Sequence, residues 1–396
     1  MISVKEAQQL ILNSVGKGSA ARAETLDCAG RVLAEDIISP EDFPRFRQSA
    51  MDGYALRAED LQARLLKVSG NIFAGGRLAA SLKAGECAYI TTGSPVPRNA
   101  GAVVPVEDVL AGAGVIQPRS KIKKGDNIRE AGDDIKKGAI LCRKGDLITP
   151  QSIGIFGALG IARLKVFLSP SVGIITTGAE VAAIGAGRLG KNKIRNSNLW
   201  SLAALLKSCG AAPAFSKALS DKEGLLPEFL GKLEKLPEIV ILTGGVSVGG
   251  HDYVKEDLEK FGVRKLFWKV AQKPGKPVYA GVKGRTLFFG LPGNPAAVIT
   301  CFYLYVLPAI NKYRHRREIF LPEVSARLVA PLKAGGSRAV FLRGRFKDGK
   351  VEPLWGQGSH MLSSFLKTDC FIELEPSPPV VLKKGGNVKI LLLTAC

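Results

Sequence analysis

At 396 residues the chain exceeds what one hydrophobic core ordinarily holds, so two to four domains are expected. Its 46% hydrophobic and 23% charged content describes a soluble globular protein, and no run reaches the roughly 20 apolar residues that cross a bilayer. The net charge of +21 calls for acidic partners; the basic residues are dispersed, without a helix-turn-helix or aromatic RNA-binding pattern, which favours small polyanions over nucleic acid.

The N-terminus places Val4, Ala7, Leu10, Ile11 and Val15 at helical spacing. With Glu6 and no basic start it does not read as a signal peptide. Seven scattered cysteines (28, 87, 142, 209, 301, 370 and 396) without a C-x-x-C pair indicate free thiols and a cytoplasmic protein. Three dispersed histidines argue against a His-based metal site. Pro40 and Pro44 mark a connection, and Met51-Asp52-Gly53-Tyr54-Ala55 reads as a turn entering a strand. Taken alone, Asp52 beside Gly53 only shapes that turn. Short runs at 87–92, 102–106 and 140–143, separated by Gly-Asp turns, predict mainly β structure to about residue 167. Two loops here are unusually polar, Thr91-Thr92-Gly93-Ser94-Pro95 and the stretch 127–134 that ends in Asp133-Asp134.

Beyond Ser169-Pro170, strands and helices alternate. A strand at 172–176 runs into Thr177-Gly178-Ala179-Glu180, and Asn196 or Ser197 can cap a helix that Gly210 stops. A weaker strand at 212–218 is followed by a helix from Ser220-Asp221 to about 234. Ile239-Val240-Ile241-Leu242 is fully apolar, the mark of a strand buried on both faces. Thr243-Gly244-Gly245-Val246-Ser247-Val248-Gly249-Gly250 follows, then a helix over 251–260 and a strand over 264–270. A strand, a glycine loop and a helix N-terminus together present backbone N–H groups to an anion. Asp252 beside that loop would repel a phosphate unless a metal or a proton intervenes, which points to phosphate chemistry. Lys273-Pro274-Gly275-Lys276-Pro277 is a rigid, doubly cationic loop. A strand at 286–289 leads through Gly290-Leu291-Pro292-Gly293-Asn294-Pro295 into a buried helix at 296–307, bounded by Pro295 and Pro308. The alternation predicts a parallel, doubly wound α/β domain whose ligand sits beyond the carboxyl ends of the strands. Loops 177–180, 243–252 and 290–295 would converge there, joined by 273–277. The basic run 312–317 reads as a helix end, and residues from 318 return to β texture, with a hairpin of 341–346 and 351–355 and a last strand at 388–393.

In order along the chain, SAMDGYA (49–55), ITTGSPVP (90–97), NIREAGDDI (127–135), TTGAEV (176–181), TGGVSVGGHDY (243–253), KPGKP (273–277) and GLPGNP (290–295) resemble the molybdopterin molybdenumtransferases. These are the molybdenum insertases to which the gephyrin E domain belongs, and the resemblance covers essentially the whole chain. It implies a multidomain α/β plus β fold. An N-terminal α+β region (1–44 with 140–167) carries an inserted β-rich lobe (45–139); a central doubly wound α/β molybdopterin-binding domain (168–317) and a C-terminal β domain (318–396) follow. It implies a homodimer whose active site lies between the α/β domain of one subunit and the MDGYA-bearing part of the other. The implied reaction inserts molybdenum from molybdate into adenylated molybdopterin and releases AMP, with Mg²⁺ as the divalent cation. By this resemblance Asp52, Asp134, Glu180, Asp221 and Asp252 are the catalytic acids, and Glu180, Asp221 and Asp252 ligate the metal. Thr92, Gly244, Gly245, Ser247, Gly249, Lys269, Lys273, Lys276, Pro292, Asn294 and Pro295 contact the substrate. Molybdate meets Lys276, Ser359 and Arg338, the last in an R-x-x-F-x-R pattern with Arg343. The molybdopterin adenylyltransferase and recipient molybdoenzymes are the implied partners.

The chain departs from the family pattern in places. Many members carry Asp where this chain has Ala179, Asn196 and Gly101; Ala297 stands where several carry Ser, and Thr368-Asp369-Cys370 replaces an Ala-Asn-Gly. The acids and lysines are retained, so activity is expected. The alternatives are a gephyrin-like scaffold on the same fold, and an insertase that prefers tungstate.

Overall fold

The computed structural model describes residues 1–76, 81–178, 180–182, 185, 187–220, 222–245 and 253–393. They form two compact units, one of residues 1–35, 145–153 and 163–396, the other of 36–144 and 154–162. The architecture is multidomain α/β plus β: a central doubly wound α/β domain, an N-terminal α+β region with a β lobe, and a C-terminal β domain.

In the first unit the helix Val4–Ser14 opens on a capping box, in which Glu6 N donates to Ser3 Oγ (3.2 Å) and Ser3 N to the Glu6 carboxylate (2.7 Å). It buries Val4, Ala7 and Ile11, the periodic residues of the sequence. A three-stranded sheet orders Ala20–Glu24, Arg163–Phe167 and Val32–Leu33.

The central sheet orders six strands as Pro213–Leu219, Val172–Thr177, Ile239–Thr243, Thr286–Leu291, Tyr279–Lys283 and Arg264–Trp268. The first four are mutually parallel. Their side chains alternate between two cores. Ile174, Ile239, Ile241, Leu287 and Phe289 pack with Leu202 and Leu206 of the helix Ser197–Ser208 and with Val4, Ala7 and Ile11. Ile175, Val240, Leu242 and Phe288 pack on the other face, with Leu226 and Leu230 of Leu225–Gly231 and with Val254 and Leu258 of Tyr253–Lys260. Each such side chain, fully buried, contributes about 1.5–3 kcal/mol, which is why an uninterrupted apolar run is required at the sheet centre.

Three local expectations are corrected. Residues 279–283, to which the sequence reading assigned no strand, form a strand antiparallel to Thr286–Leu291, joined to it by a turn with Gly284 at φ +59°. The helix expected over 220–234 is only Leu225–Gly231 among the described residues, with Gly224 at φ +84° setting its start. The helix expected to stop before Pro308 runs through it, as one helix from Pro295 to Tyr313. A π turn at Phe302–Val306, where Leu307 N donates to Phe302 O, widens the helix just ahead of the residue that lacks an N–H. Of the described helices only this one is long and apolar enough to cross a membrane, and 83% of it is buried, as in a core helix.

The C-terminal part closes a ring of five strands in the order Ala339–Lys347, Lys350–Pro353, Glu323–Leu328, Asn387–Leu392 and Cys370–Leu374, which pairs back onto Ala339–Lys347. The expected hairpin is its first pair. A sixth short strand, Gln272–Lys273, comes from the α/β domain and pairs in parallel with Ala339 and Val340.

The second unit holds a six-stranded sheet ordered Ala100–Pro105, Gly53–Arg57, Glu86–Ile90, Leu66–Ile72, Val115–Pro118 and Val109–Gly112. Its two small cores use Ala55, Ala88, Ala100 and Ala102 where the central sheet uses Ile, Leu and Phe. None of the six described cysteines is joined in a disulfide.

Candidate active site

The parallel register sets Thr176, Thr243 and Leu291 side by side, so the loops 177–180, 243–245 and 290–295 leave the sheet together. Val172–Thr177, the first strand of this sheet in the chain, lies between the second (Pro213–Leu219) and the third (Ile239–Thr243), so the winding goes to one side of it and then to the other. Such a switch point opens a crevice at the carboxyl ends of the strands. A cleft of about 1060 Å³ lies there, lined by residues of the three loops, the lysine loop 272–277 and residues 338, 340–342 and 357–360 of the C-terminal domain.

Gly244 is fixed by backbone and space together. It holds φ +93°, and a Cβ would sit 2.5 Å from Thr177 O and 2.8 Å from Thr177 Oγ1. Two asparagines of NSN (196–198) tie the loops. Asn196 caps the helix by accepting from Leu199 N (3.0 Å) and donates to Thr176 Oγ1 (2.8 Å). Asn198 Nδ2 donates to Thr243 Oγ1 (3.0 Å) and Gly293 O (2.7 Å). Thr243 Oγ1 in turn donates to Pro292 O (3.1 Å). The N-terminus of the helix that starts at Pro295 is already committed. Pro295 has no N–H, and Ala296 N donates to Ser359 O (3.1 Å). Ser359 Oγ also accepts from Asn294 Nδ2 (3.1 Å), which joins the GLPGNP loop to the C-terminal wall.

Arg343 organises that wall from behind. It is fully buried, donates from Nη2 to Gly356 O (2.5 Å) and Gly358 O (3.1 Å), and faces the Phe365 ring at 5.4 Å. Among the described residues its Nε and Nη1 have no partner, and burial pulls its pKa below the ordinary guanidinium value.

Among the described lining residues, Arg195, Lys273, Lys276 and Arg338 bring positive charge and Glu180 alone brings a carboxylate. Four cations against one acid make the cleft an anion site in electrostatic terms. Gly244, Gly245, Lys273, Lys276, Pro292, Asn294, Pro295, Glu180, Arg338 and Ser359, all expected from the sequence, line this one cavity. Lys269 does not; its ammonium lies 3.8 Å from the centroid of the Trp268 ring, and the residue holds φ +72°. Asp221, Ser247, Gly249 and Asp252 lie outside the described residues. In the second unit Asp52 accepts from Thr92 N (2.6 Å) and Thr92 Oγ1 (2.8 Å), and these bonds hold its pKa below the usual aspartate value. Asp134 is exposed, on a turn whose N–H donates to Phe43 O (3.1 Å).

The sequence reading missed Arg195, Asn198, Gln272 and His360 as cleft residues. Asn198 carried a signal, as the second asparagine two places beyond the N-cap; the other three carried none.

Three family models match the chain in order: the MoeA N-terminal region (domains I and II) over 2–160, a "probable molybdopterin binding domain" over 173–312, and the MoeA C-terminal region (domain IV) over 325–393. The molybdopterin molybdenumtransferase of Haemophilus influenzae is 37% identical over 370 residues, 91% of this chain and 89% of that protein. The chain belongs to the molybdopterin molybdenumtransferase (MoeA) family. The Staphylococcus aureus Mu50 member is 31% identical over 393 residues, 98% of this chain and 92% of its own length. Among solved structures, the molybdopterin biosynthesis MoeA protein of Pyrococcus horikoshii superposes with a TM-score of 0.82 at 29% identity, covering 99% of this chain and 100% of that one. A Pyrococcus furiosus molybdenum cofactor biosynthesis protein shares the fold, with a TM-score of 0.61 at 21% identity over 99% of each chain. Within the MoeA frame the cleft combines the second and third matched regions, since 176–297 fall in one and 338–360 in the other.

Proposed function

We propose that this MoeA-family enzyme of molybdenum cofactor biosynthesis transfers molybdenum from molybdate into adenylated molybdopterin and releases AMP. The observation that carries the reading is the cleft at the switch point, where among the described residues Arg195, Lys273, Lys276 and Arg338 face Glu180 as the one carboxylate. Adenylated molybdopterin brings a pyrophosphate and molybdate a second dianion. Charge-assisted bonds to ammonium and guanidinium groups are the interactions that hold such groups in water. Lys276, Arg338 and Ser359 are assigned to molybdate, and Lys273 with the glycine loops to the pyrophosphate.

Mg²⁺ prefers oxygen donors. The described cleft offers the Glu180 carboxylate and two buried oxygens without a hydrogen-bond partner, Thr177 Oγ1 and Asn198 Oδ1. That chemistry fits the ion, and Glu180, Asp221 and Asp252 are the residues proposed to hold it. When bound, Mg²⁺ would neutralise charge on the pyrophosphate. Lys273 and Lys276 orient the anions. Asp52, fixed by Thr92, and Asp134 are proposed to complete the site from a second subunit of a homodimer. A cytoplasmic setting, with the molybdopterin adenylyltransferase upstream and recipient molybdoenzymes downstream, belongs to the same reading.

The test is incubation of purified protein with adenylated molybdopterin, molybdate and Mg²⁺, scoring AMP and active cofactor. Molybdate-dependent formation of both is expected. Failure of both where the Haemophilus influenzae relative succeeds would sink the proposal, and substitution of tungstate for molybdate measures the preference between them.

A further inference from the structure

We propose that Gln272 is a positioning residue for oxyanion binding, clamping the lysine loop so that Lys273 and Lys276 share the cleft with Arg338. The inference rests on the functional reading above for its substrate, and on the following geometry for the clamp. Gln272 is fully buried and lines the floor of the cleft. Its Nε2 donates to Pro274 O (2.8 Å), inside the loop, and lies 3.6 Å from Cys301 Sγ. Its Oε1 accepts from the hydroxyl of Tyr305, on the buried Pro295–Tyr313 helix. The amide orientation is forced, because a carbonyl can only accept and Pro274 O therefore faces the NH₂ end. The backbone of Gln272 and Lys273 pairs with Ala339 and Val340, directly after Arg338, and Ala339 N donates to Ala271 O (2.9 Å). One residue thus ties the lysine loop to the helix by its side chain and to the C-terminal wall by its backbone.

The space beneath the loop is closed as well. Gly275 holds φ +90°, and a Cβ there would lie 2.5 Å from Cys301 Sγ and 2.8 Å from Gln272 Nε2. Burial raises the pKa values of Tyr305 and Cys301, so both stay protonated and the clamp carries no charge of its own. The loop ammonium groups gain their geometry from it without being neutralised. Neither Lys273 nor Lys276 makes an ion pair or a side-chain hydrogen bond among the described residues, so little else fixes their approach to the cleft. Among the described residues the other charged groups on the same cavity are Arg195, Arg338 and Glu180.

Three variants test the clamp. Gln272→Met keeps the volume and removes both bonds, and should raise KM for molybdate about tenfold while kcat changes less than twofold, the loss of buried hydrogen bonds being expressed in binding. Gln272→Glu restores both bonds only while its carboxyl is protonated, so its KM relative to wild type should improve as pH falls. Tyr305→Phe frees Oε1 but leaves the bond to Pro274 O, and should give a smaller rise in KM. Amide hydrogen exchange at Gly275 and Lys276, measured without substrate, should be faster in Gln272→Met than in wild type, with melting temperature as the control for global fold. Unchanged exchange and an unchanged molybdate KM in folded Gln272→Met, or a Gln272→Glu profile parallel to wild type, would overturn the clamp. Should Gln272→Met not fold, the Gln272→Glu and Tyr305→Phe arms decide. A wild-type enzyme inert toward molybdate would refute the functional reading instead, and the exchange experiment would still judge the loop.

Discussion

The lysine side of the cleft and the Asp52 turn hold charge in opposite ways. Asp52 is committed: two donors from Thr92 fix its carboxylate, although the side chain is exposed. Lys273, Lys276 and Arg338 have no carboxylate within ion-pair distance among the described residues. Elsewhere the chain pairs its lysines readily, as in Lys232–Glu228, Lys260–Glu223 and Lys265–Glu259. Unpaired cations concentrated in one cavity await an outside anion, whereas a carboxylate fixed by donors is a preset acceptor. The difference teaches that, under the proposed function, the two sites would do separate jobs, one supplying affinity for a polyanion and the other a positioned oxygen.

Substitutions can break this contrast, beginning with the largest expected effect. Lys276→Ala removes a charge-assisted contact worth about 1.5–3 kcal/mol, so molybdate-dependent turnover at subsaturating molybdate should fall ~10- to 150-fold in steady-state assays. A matching loss in Lys232→Ala, where the ammonium is already paired, would dissolve the distinction. Asp252→Asn should slow AMP release at least about tenfold without changing the melting temperature, if it takes part in the metal-assisted step. Wild-type rates in rapid-quench AMP assays would remove it from the acidic set. Asn198→Ala deletes the donors to Thr243 Oγ1, which is buried, and to Gly293 O, which is exposed, and should cost about 1 kcal/mol in urea unfolding.

The smallest effect is a pH dependence. The folded pKa of Asp52 lies below its unfolded value, so its bonds to Thr92 stabilise the fold above the ordinary aspartate pKa of about 3.9 and fade as pH falls through the lowered value. The difference in melting temperature between wild type and Asp52→Asn should therefore be small, present at neutral pH and absent in strong acid. A difference that grows toward low pH would reverse the assignment.

Much of the central domain was legible because its signals are local. The run Ile239-Val240-Ile241-Leu242 announced a two-faced strand, and the structure sends its residues alternately to two cores. The turn-rich loops after three strands announced a common crevice, and the parallel register delivers it. Residues 279–283 escaped because five residues between a lysine loop and a Gly turn carry too short a pattern to separate strand from connection. Pro308 misled because its effect depends on the π turn ahead of it, which no propensity announces. The five-stranded closure of the C-terminal domain, and the extra strand lent to it at Gln272–Lys273, depend on distant pairings such as Glu323 with Leu391, Val340 with Leu374 and Gln272 with Ala339.

By itself the sequence determined the alternation of buried strands and helices, the glycine and proline loops between them, and the residue types able to meet a polyanion. Periodicity and turn chemistry act between near neighbours, and these are written in the order of residues. The tertiary structure decided which groups meet. It brought Thr92 to Asp52 across 40 positions, Ser359 to Asn294 across 65 and Tyr305 to Gln272 across 33. It also turned Lys269 onto Trp268 instead of into the cleft. Those encounters follow from strand register, helix packing and the pairing of distant edges, all of which are settled only when the whole core closes.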